Sequence, residues 1–189
     1  MPEPPAVRAA RPARSAPAPP ADPAFAVRRA TSADLDHVLA LRLALLREHG
    51  GNPVYGRLHR EAPSRARTLF RDQLASAAEV TWLAVRPDDD APVGILRCME
   101  GRGSPLLDPP RYGYVASVYV VPDARRAGVM RALLAEAEAW SRERGLDELR
   151  LHAASDNAGG VAAWRAMGFA VAEHLLVRPL EPAPARRRR

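Results

Sequence analysis

Val118-Tyr119-Val120-Val121-Pro122-Asp123-Ala124-Arg125-Arg126-Ala127-Gly128-Val129-Met130-Arg131 changes character twice, and the order of the changes sets the layout of the chain. The run from Tyr114 to Val121 is apolar, β-branched and aromatic, which predicts a strand. Pro122 ends it, because proline has no N–H to give to a ladder. Beyond Gly128, Val129, Leu133, Ala137 and Trp140 recur at helical spacing, with Gly145 as the stop. The local order is therefore strand, arginine-bearing turn, helix.

The start of a helix carries unpaired N–H groups and a partial positive charge, a setting suited to an anion such as pyrophosphate. Gly128 would let a ligand approach the backbone with no Cβ in the way. The spacing is not G-x-x-x-x-G-K-[ST], so a nucleoside triphosphatase loop is not indicated.

Downstream, Glu148 to Ala153 predicts a strand and Asn157 to Met167 a helix. Gly168-Phe169 then turns into a last strand, or pair of strands, over Ala170 to Val177. Upstream lies a long Gly/Pro-rich loop, Gly101 to Arg111, of a kind that serves equally as a lid or as a plain insertion. Before it, Val80 to Val85 and Val93 to Met99 form a hairpin joined by the turn-forming Pro87 to Pro92.

Two helices come earlier still. One runs from about Ser64 to Ala77. The other opens at Thr31, whose spacing to Asp34 fits a capping box, and stops at Gly50-Gly51. Phe25 to Arg29 is a short first strand. Hairpin strands first and crossover helices later imply an α/β (α+β) domain with a mixed, mostly antiparallel sheet of six or seven strands and helices on both faces.

With 189 residues and 47% hydrophobic content, the chain can bury one core. Residues 1–24 are Ala/Pro/Arg-rich and expected to be a disordered extension, residues 25–180 are the domain, and residues 181–189 are an arginine-rich tail. The net charge of +6 sits largely in those two ends, so the domain is nearly neutral and nucleic-acid binding is not expected. All 28 basic residues are arginine, which excludes lysine auto-acetylation.

Cys98 is the only cysteine; it reads as a buried inert thiol and points to a reducing, cytoplasmic compartment. No stretch approaches a membrane span, and the five scattered histidines make no metal cluster. The proline-rich start fits neither a secretory signal nor an amphipathic transit helix.

Arg125-Arg126-Ala127-Gly128-Val129-Met130 resembles the [Q/R]-x-x-G-x-[G/A] signature of the GNAT superfamily of N-acetyltransferases, with Met130 in place of the usual Gly or Ala. Asn157 to Phe169 resembles that family's N-x-x-A-x-x-x-Y-x-x-x-G-F segment, with Gly160 for Ala and Trp164 for Tyr. The element order from Phe25 to Leu180 resembles the GNAT fold.

The resemblance implies acetyl-coenzyme A as co-substrate, no metal, and a primary amine as acceptor. It places the pyrophosphate on the backbone N–H groups of Arg126, Ala127, Gly128, Val129, Met130 and Arg131, with arginine side chains, that of Arg125 included, adding charge-assisted contacts. The backbone N–H groups of Val118 and Val120 would face the pantetheine and the thioester oxygen. Asn157 and the Trp164 position would border the cofactor, although Asn157 also suits a helix N-cap.

The residues offer several candidates for proton transfer. An indole has no usable acid pKa, so Trp164 cannot act as the family's tyrosine acid. Tyr114 stands where some members have a glutamate base, four residues before Val118. Glu100, His152 and Tyr119 are further candidates by location, with His152 having the right intrinsic pKa. Direct attack by a neutral amine and proton loss through water fit the residues equally well. The alternative to an N-acetyltransferase is a catalytically silent acyl-coenzyme A-binding module. A homodimer is left open, and the acceptor is unnamed.

Overall fold

The computed structural model describes residues 24–180. The expectations for residues 1–23 and 181–189 fall outside that range. One sheet runs in the order β1 (Ala26–Arg29), β2 (Glu79–Val85), β3 (Pro92–Arg102), β4 (Arg111–Val120) and β5 (Leu149–Leu151). The first three pairings are antiparallel and β4 with β5 is parallel.

Helices α1 (Leu35–Glu48) and α2 (Ala62–Ala75) pack on one face of the sheet. Helix α3 (Val129–Glu143) packs on the other, joined there by Trp164 from α4 (Ala158–Ala166).

A sheet covered on both faces needs apolar side chains at successive positions. In β2, Trp82 and Ala84 enter the α3-side core while Leu83 and Val85 enter the α1/α2-side core. Val129, Leu133, Leu134, Ala137 and Trp140 form the buried stripe of α3. That helix lies close on β3: a Cβ at Gly94 would stand 2.7 Å from the Val129 side chain. At its other end Gly145 (φ +64) closes the helix, with Leu146 N–H donating to Ser141 O and Gly145 N–H to Arg142 O. Both ends of α3 are thus fixed, and so is the direction in which its N-terminus points.

The capping box at Thr31 is present, although it opens a 3₁₀ turn (Ser32–Asp34) that leads into α1. The loop after β3 is shorter than expected, since the strands extend to Arg102 and from Arg111, and Gly103 N–H closes the hairpin on Pro110 O.

The sheet is also narrower: it has five strands among the described residues, not six or seven. The strand expected over Ala170 to Val177 is irregular, and Val171, Leu175, Leu176 and Val177 are exposed. β5 offers a ladder only three residues long, and the run Leu175-Leu176-Val177 breaks the alternation that would keep one face inward.

Asp34 ties β1 to the first helix. Its carboxylate accepts Arg28 Nη2 (2.8 Å) and Nη1 (3.0 Å) and the Thr31 N–H (2.7 Å). The Arg28 guanidinium holds the Asp34 pKa at about 2, below the ordinary 3.8. Because the folded value is depressed, this stability is complete above the unfolded value and is lost as pH falls through the folded one. Asp34→Ala is expected to cost about 1–3 kcal/mol at pH 7. In thermal melts of the two proteins, the difference should shrink between pH 4 and pH 2; a gap unchanged at pH 2 would contradict this account.

Candidate active site

The β4–α3 connection passes through a 3₁₀ turn, Pro122–Ala124, and then reverses sharply. Arg126 (φ +68) and Gly128 (φ +86) are left-handed on either side of Ala127. Alternation of this kind turns successive N–H groups into a shared concavity. Among the described residues, the backbone N–H groups of Arg126, Ala127, Gly128, Val129, Met130 and Arg131 donate to no protein acceptor, and the first bond of this helix start is Ala132 N–H to Gly128 O at 3.1 Å. Space beside Gly128 is open, with nothing within 4 Å of where a Cβ would stand.

The side chains of this turn divide the work. Arg125 faces the protein: its Nε donates to Val120 O (3.0 Å), its Nη2 pairs with Glu48 Oε1 of α1 (2.5 Å), and its guanidinium lies over the Tyr119 ring. It pins the turn and is not free to add the contact to an anion expected of it. Arg126 and Arg131 are exposed, as are Ala127 and Gly128. Val129 is buried, and Met130 packs against the α3-side core, so its length does not obstruct the turn.

Before the turn, β4 carries a bulge. Ile95 pairs with Tyr119 but Arg97 pairs with Ala116, and Ser117 sits at φ +58. The extra residue changes the parity of the strand. Ahead of it, Gly113 N–H donates to Glu148 O on the β5 side (2.8 Å); after it, Val121 N–H donates to Val93 O on β3 (3.0 Å). By alternation, the N–H groups of Val118 and Val120 are directed to the β5 side. There β5 has already left, since its pairing with β4 stops at Val115↔Leu151. The two strands part where backbone donors are turned into the gap.

Tyr114 and His152, two separate candidates in the sequence, meet at this parting with Tyr114 Oη 2.6 Å from His152 Nδ1. Burial pushes the Tyr114 phenol above its ordinary value, so it stays protonated, and it donates to Nδ1 when the imidazole carries its proton on Nε2. The α1–α2 loop borders the pair. Asn52 is buried there, accepting Val54 and Tyr55 N–H and donating to Asp156 at 3.3 Å, beyond β5.

The remaining candidates lie elsewhere. Tyr119 is only 8% exposed, donates to Glu48 (3.2 Å), and has its pKa raised by burial and then by that carboxylate, so it holds its proton. Glu100 is paired with Arg111 (3.3 Å). An open groove of about 290 Å³ lined by Arg29, Gln73, Glu79 and Trp140 adjoins β1 and β2 and includes neither Tyr114 nor His152.

The family model described as "Acetyltransferase (GNAT) family" matches residues 45–169. The chain belongs to this family. An aminoglycoside N(6')-acetyltransferase type 1 of Stenotrophomonas maltophilia is 38% identical over 73 residues, covering 38% of this chain and 48% of that protein. The chain thus spans about half the length of the curated relatives it matches.

Among solved structures, a GCN5-related N-acetyltransferase from Ralstonia eutropha is 25% identical with a TM-score of 0.63, covering 82% of this chain and 98% of that one. A predicted acetyltransferase from Clostridium acetobutylicum with acetyl-CoA shares the fold (18% identity, TM-score 0.66), covering 82% of this chain and 96% of that one.

The chain's departures from the GNAT pattern have local causes. Asn157 caps α4, its Oδ1 accepting Gly160 N–H at 2.9 Å. A Cβ at Gly160 would stand 2.6 Å from the Asn157 side-chain nitrogen, which accounts for glycine at the pattern's alanine. Trp164, at the pattern's tyrosine, is 9% exposed and meets Phe169 edge-to-face at 5.2 Å, as a core residue of the α3 side. Cys98 is fully buried with its thiol pushed up to about 11 by that burial, in keeping with an inert thiol. No group of metal-ligating side chains occurs among the described residues, and no helix there is long and apolar enough to cross a membrane.

Sequence reasoning missed the Arg125–Glu48 tether, the bulge at Ser117 and the Asn52–Asp156 link. Arg125→Ala removes the tether and leaves Val120 O without its donor. It is expected to cost about 1–2 kcal/mol, between the value of an exposed ion pair and that of a charged hydrogen bond. Urea denaturation measures it; an unchanged midpoint would mean the contact contributes nothing.

Proposed function

We propose that the chain transfers an acetyl group from acetyl-CoA to a primary amine by direct attack in a ternary complex. One observation carries this reading: the N–H groups of Arg126 to Arg131 are unspent at the start of a fixed helix, beside open space. Such a row fits a diphosphate. The relatives' name as N-acetyltransferases, and acetyl-CoA in a protein of the same fold, support the choice of donor and reaction. A cytoplasmic location fits the reduced, buried Cys98.

In this reading the amides of Arg126 to Arg131 bind the donor's pyrophosphate, with Arg126 and Arg131 able to add side-chain contacts, and Asn157 and Trp164 border the pantetheine end. The donor supplies an acetyl thioester. Val118 and Val120 offer it backbone N–H groups, and that of Val118 meets the charge that grows on the carbonyl oxygen. Tyr114 is the proton acceptor: its oxygen takes a proton from the amine as its own proton passes to His152 Nδ1. The thiolate leaves without an acid, consistent with Trp164 in the core.

Hydrogen exchange separates the two halves of the proposal. Coenzyme A is expected to slow exchange at Arg126 to Arg131 selectively. Gly128→Val, which forces a β-branched residue to φ +86 at a cost of about 1–3 kcal/mol, should remove that protection. Tyr114→Phe should keep it while lowering kcat by about 10²–10⁴ in an assay of free thiol release. Coenzyme A that protects no residue of the turn would sink the donor site, and an unimpaired Tyr114→Phe enzyme would sink the proton acceptor.

A further inference from the structure

Between α1, α2 and the sheet, two guanidinium groups stand near one carboxylate, and only one of them is paired with it. Arg97 of β3 pairs with Glu79 of β2, their side chains 11% and 15% exposed. The Nε of Arg97 is buried with no hydrogen-bond partner among the described residues. Arg42 of α1 lies over the Phe70 ring at 4.3 Å and has no ion pair there; burial, and then the charge of Arg97, push its guanidinium down to about 10. The cluster therefore carries a net positive charge that the protein does not neutralise. Arg42 is only partly open to water, so its charge is incompletely solvated, which an added anion would offset.

This charge adjoins the amine's expected position. Arg97 is opposite Ala116 and Met99 is opposite Tyr114, so Arg97 and Tyr114 are diagonal neighbours across β3 and β4, and the charge of Arg97 is felt at the Tyr114 phenol. Carboxylates that a polycation would need are engaged: Glu79 with Arg97, Glu148 with Arg150, and Glu48 with Arg125. Asp156, at the exposed rim, bonds the neutral Asn52.

We propose that Arg42 and Arg97 form an anion subsite of the acceptor cleft, and that the acceptor is a small primary amine bearing a carboxylate a few bonds from its nitrogen. This rests on the transfer reading above. It differs from the aminoglycoside, a polyamine, after which the curated relatives are named.

The test is steady-state acetylation of amino acids against their carboxamides, with spermidine as the polycation, followed by thiol release. In the wild type the acids should show a KM lower by at least about tenfold. Arg97→Gln should bring the ratio near one. That variant strands Glu79 and could unfold, so Arg42→Met, which leaves the Arg97–Glu79 pair intact, is the second probe.

A merely structural Arg42 predicts a lower melting temperature and an unchanged ratio. A ligand-binding Arg42 predicts a melting temperature of the free protein that is held or raised, with the preference for acids reduced. Carboxamides or spermidine used as well as the acids would overturn the subsite and leave transfer standing. No turnover with any amine would overturn both.

Discussion

A parallel pairing only three residues long, Gly113 to Val115 against Leu149 to Leu151, holds β5 to the sheet, and the candidate site follows from where it stops. Had it continued, the donors of Val118 and Val120 would be consumed in a ladder. Had Ser117 not added a residue, those donors would face β3. The bulge and the early stop therefore act together: one turns the N–H groups outward and the other leaves them unpaired. α3 completes the arrangement, because its close seat on Gly94 and its closed C-terminus leave its first amides pointing at the same gap.

What the sequence made legible is what periodicity and turn chemistry encode. The stripe of Val129, Leu133, Ala137 and Trp140, the capping box at Thr31 and the hairpin of β2 and β3 each rest on neighbours along the chain. The bulge does not, for Ser117 takes a left-handed conformation that nothing in its identity announces. Nor does the Tyr114–His152 contact, which depends on where β5 sits in register. The strand expected over Ala170 to Val177 shows the opposite error. Its residues suit a strand, but strand formation needs an edge long enough to pair with, and β5 does not offer one.

The absence of lysine shapes the electrostatics as well. A guanidinium presents a planar fork, so one arginine can bridge several elements where an ammonium would make a point contact. Arg28 joins Asp34 and Asp90, and Arg125 joins α1 to the end of β4. In both cases the positive charge is met by carboxylate and serves to hold backbone segments in place. Arg42 is the contrast: it is partly buried over the Phe70 ring and has no ion-paired carboxylate among the described residues.

That contrast suggests a division between backbone and side chains. The donor's pyrophosphate and thioester are assigned chiefly to N–H groups, which every residue but proline supplies, so Met130 can depart from the family pattern without removing a backbone contact. What is assigned to the acceptor rests on side chains — Tyr114, His152, Arg42 and Arg97 — each held by a specific neighbour. A family built this way can keep its donor while its acceptor changes, because different atoms govern the two. The acceptor must be read from the charges that this chain leaves unmatched.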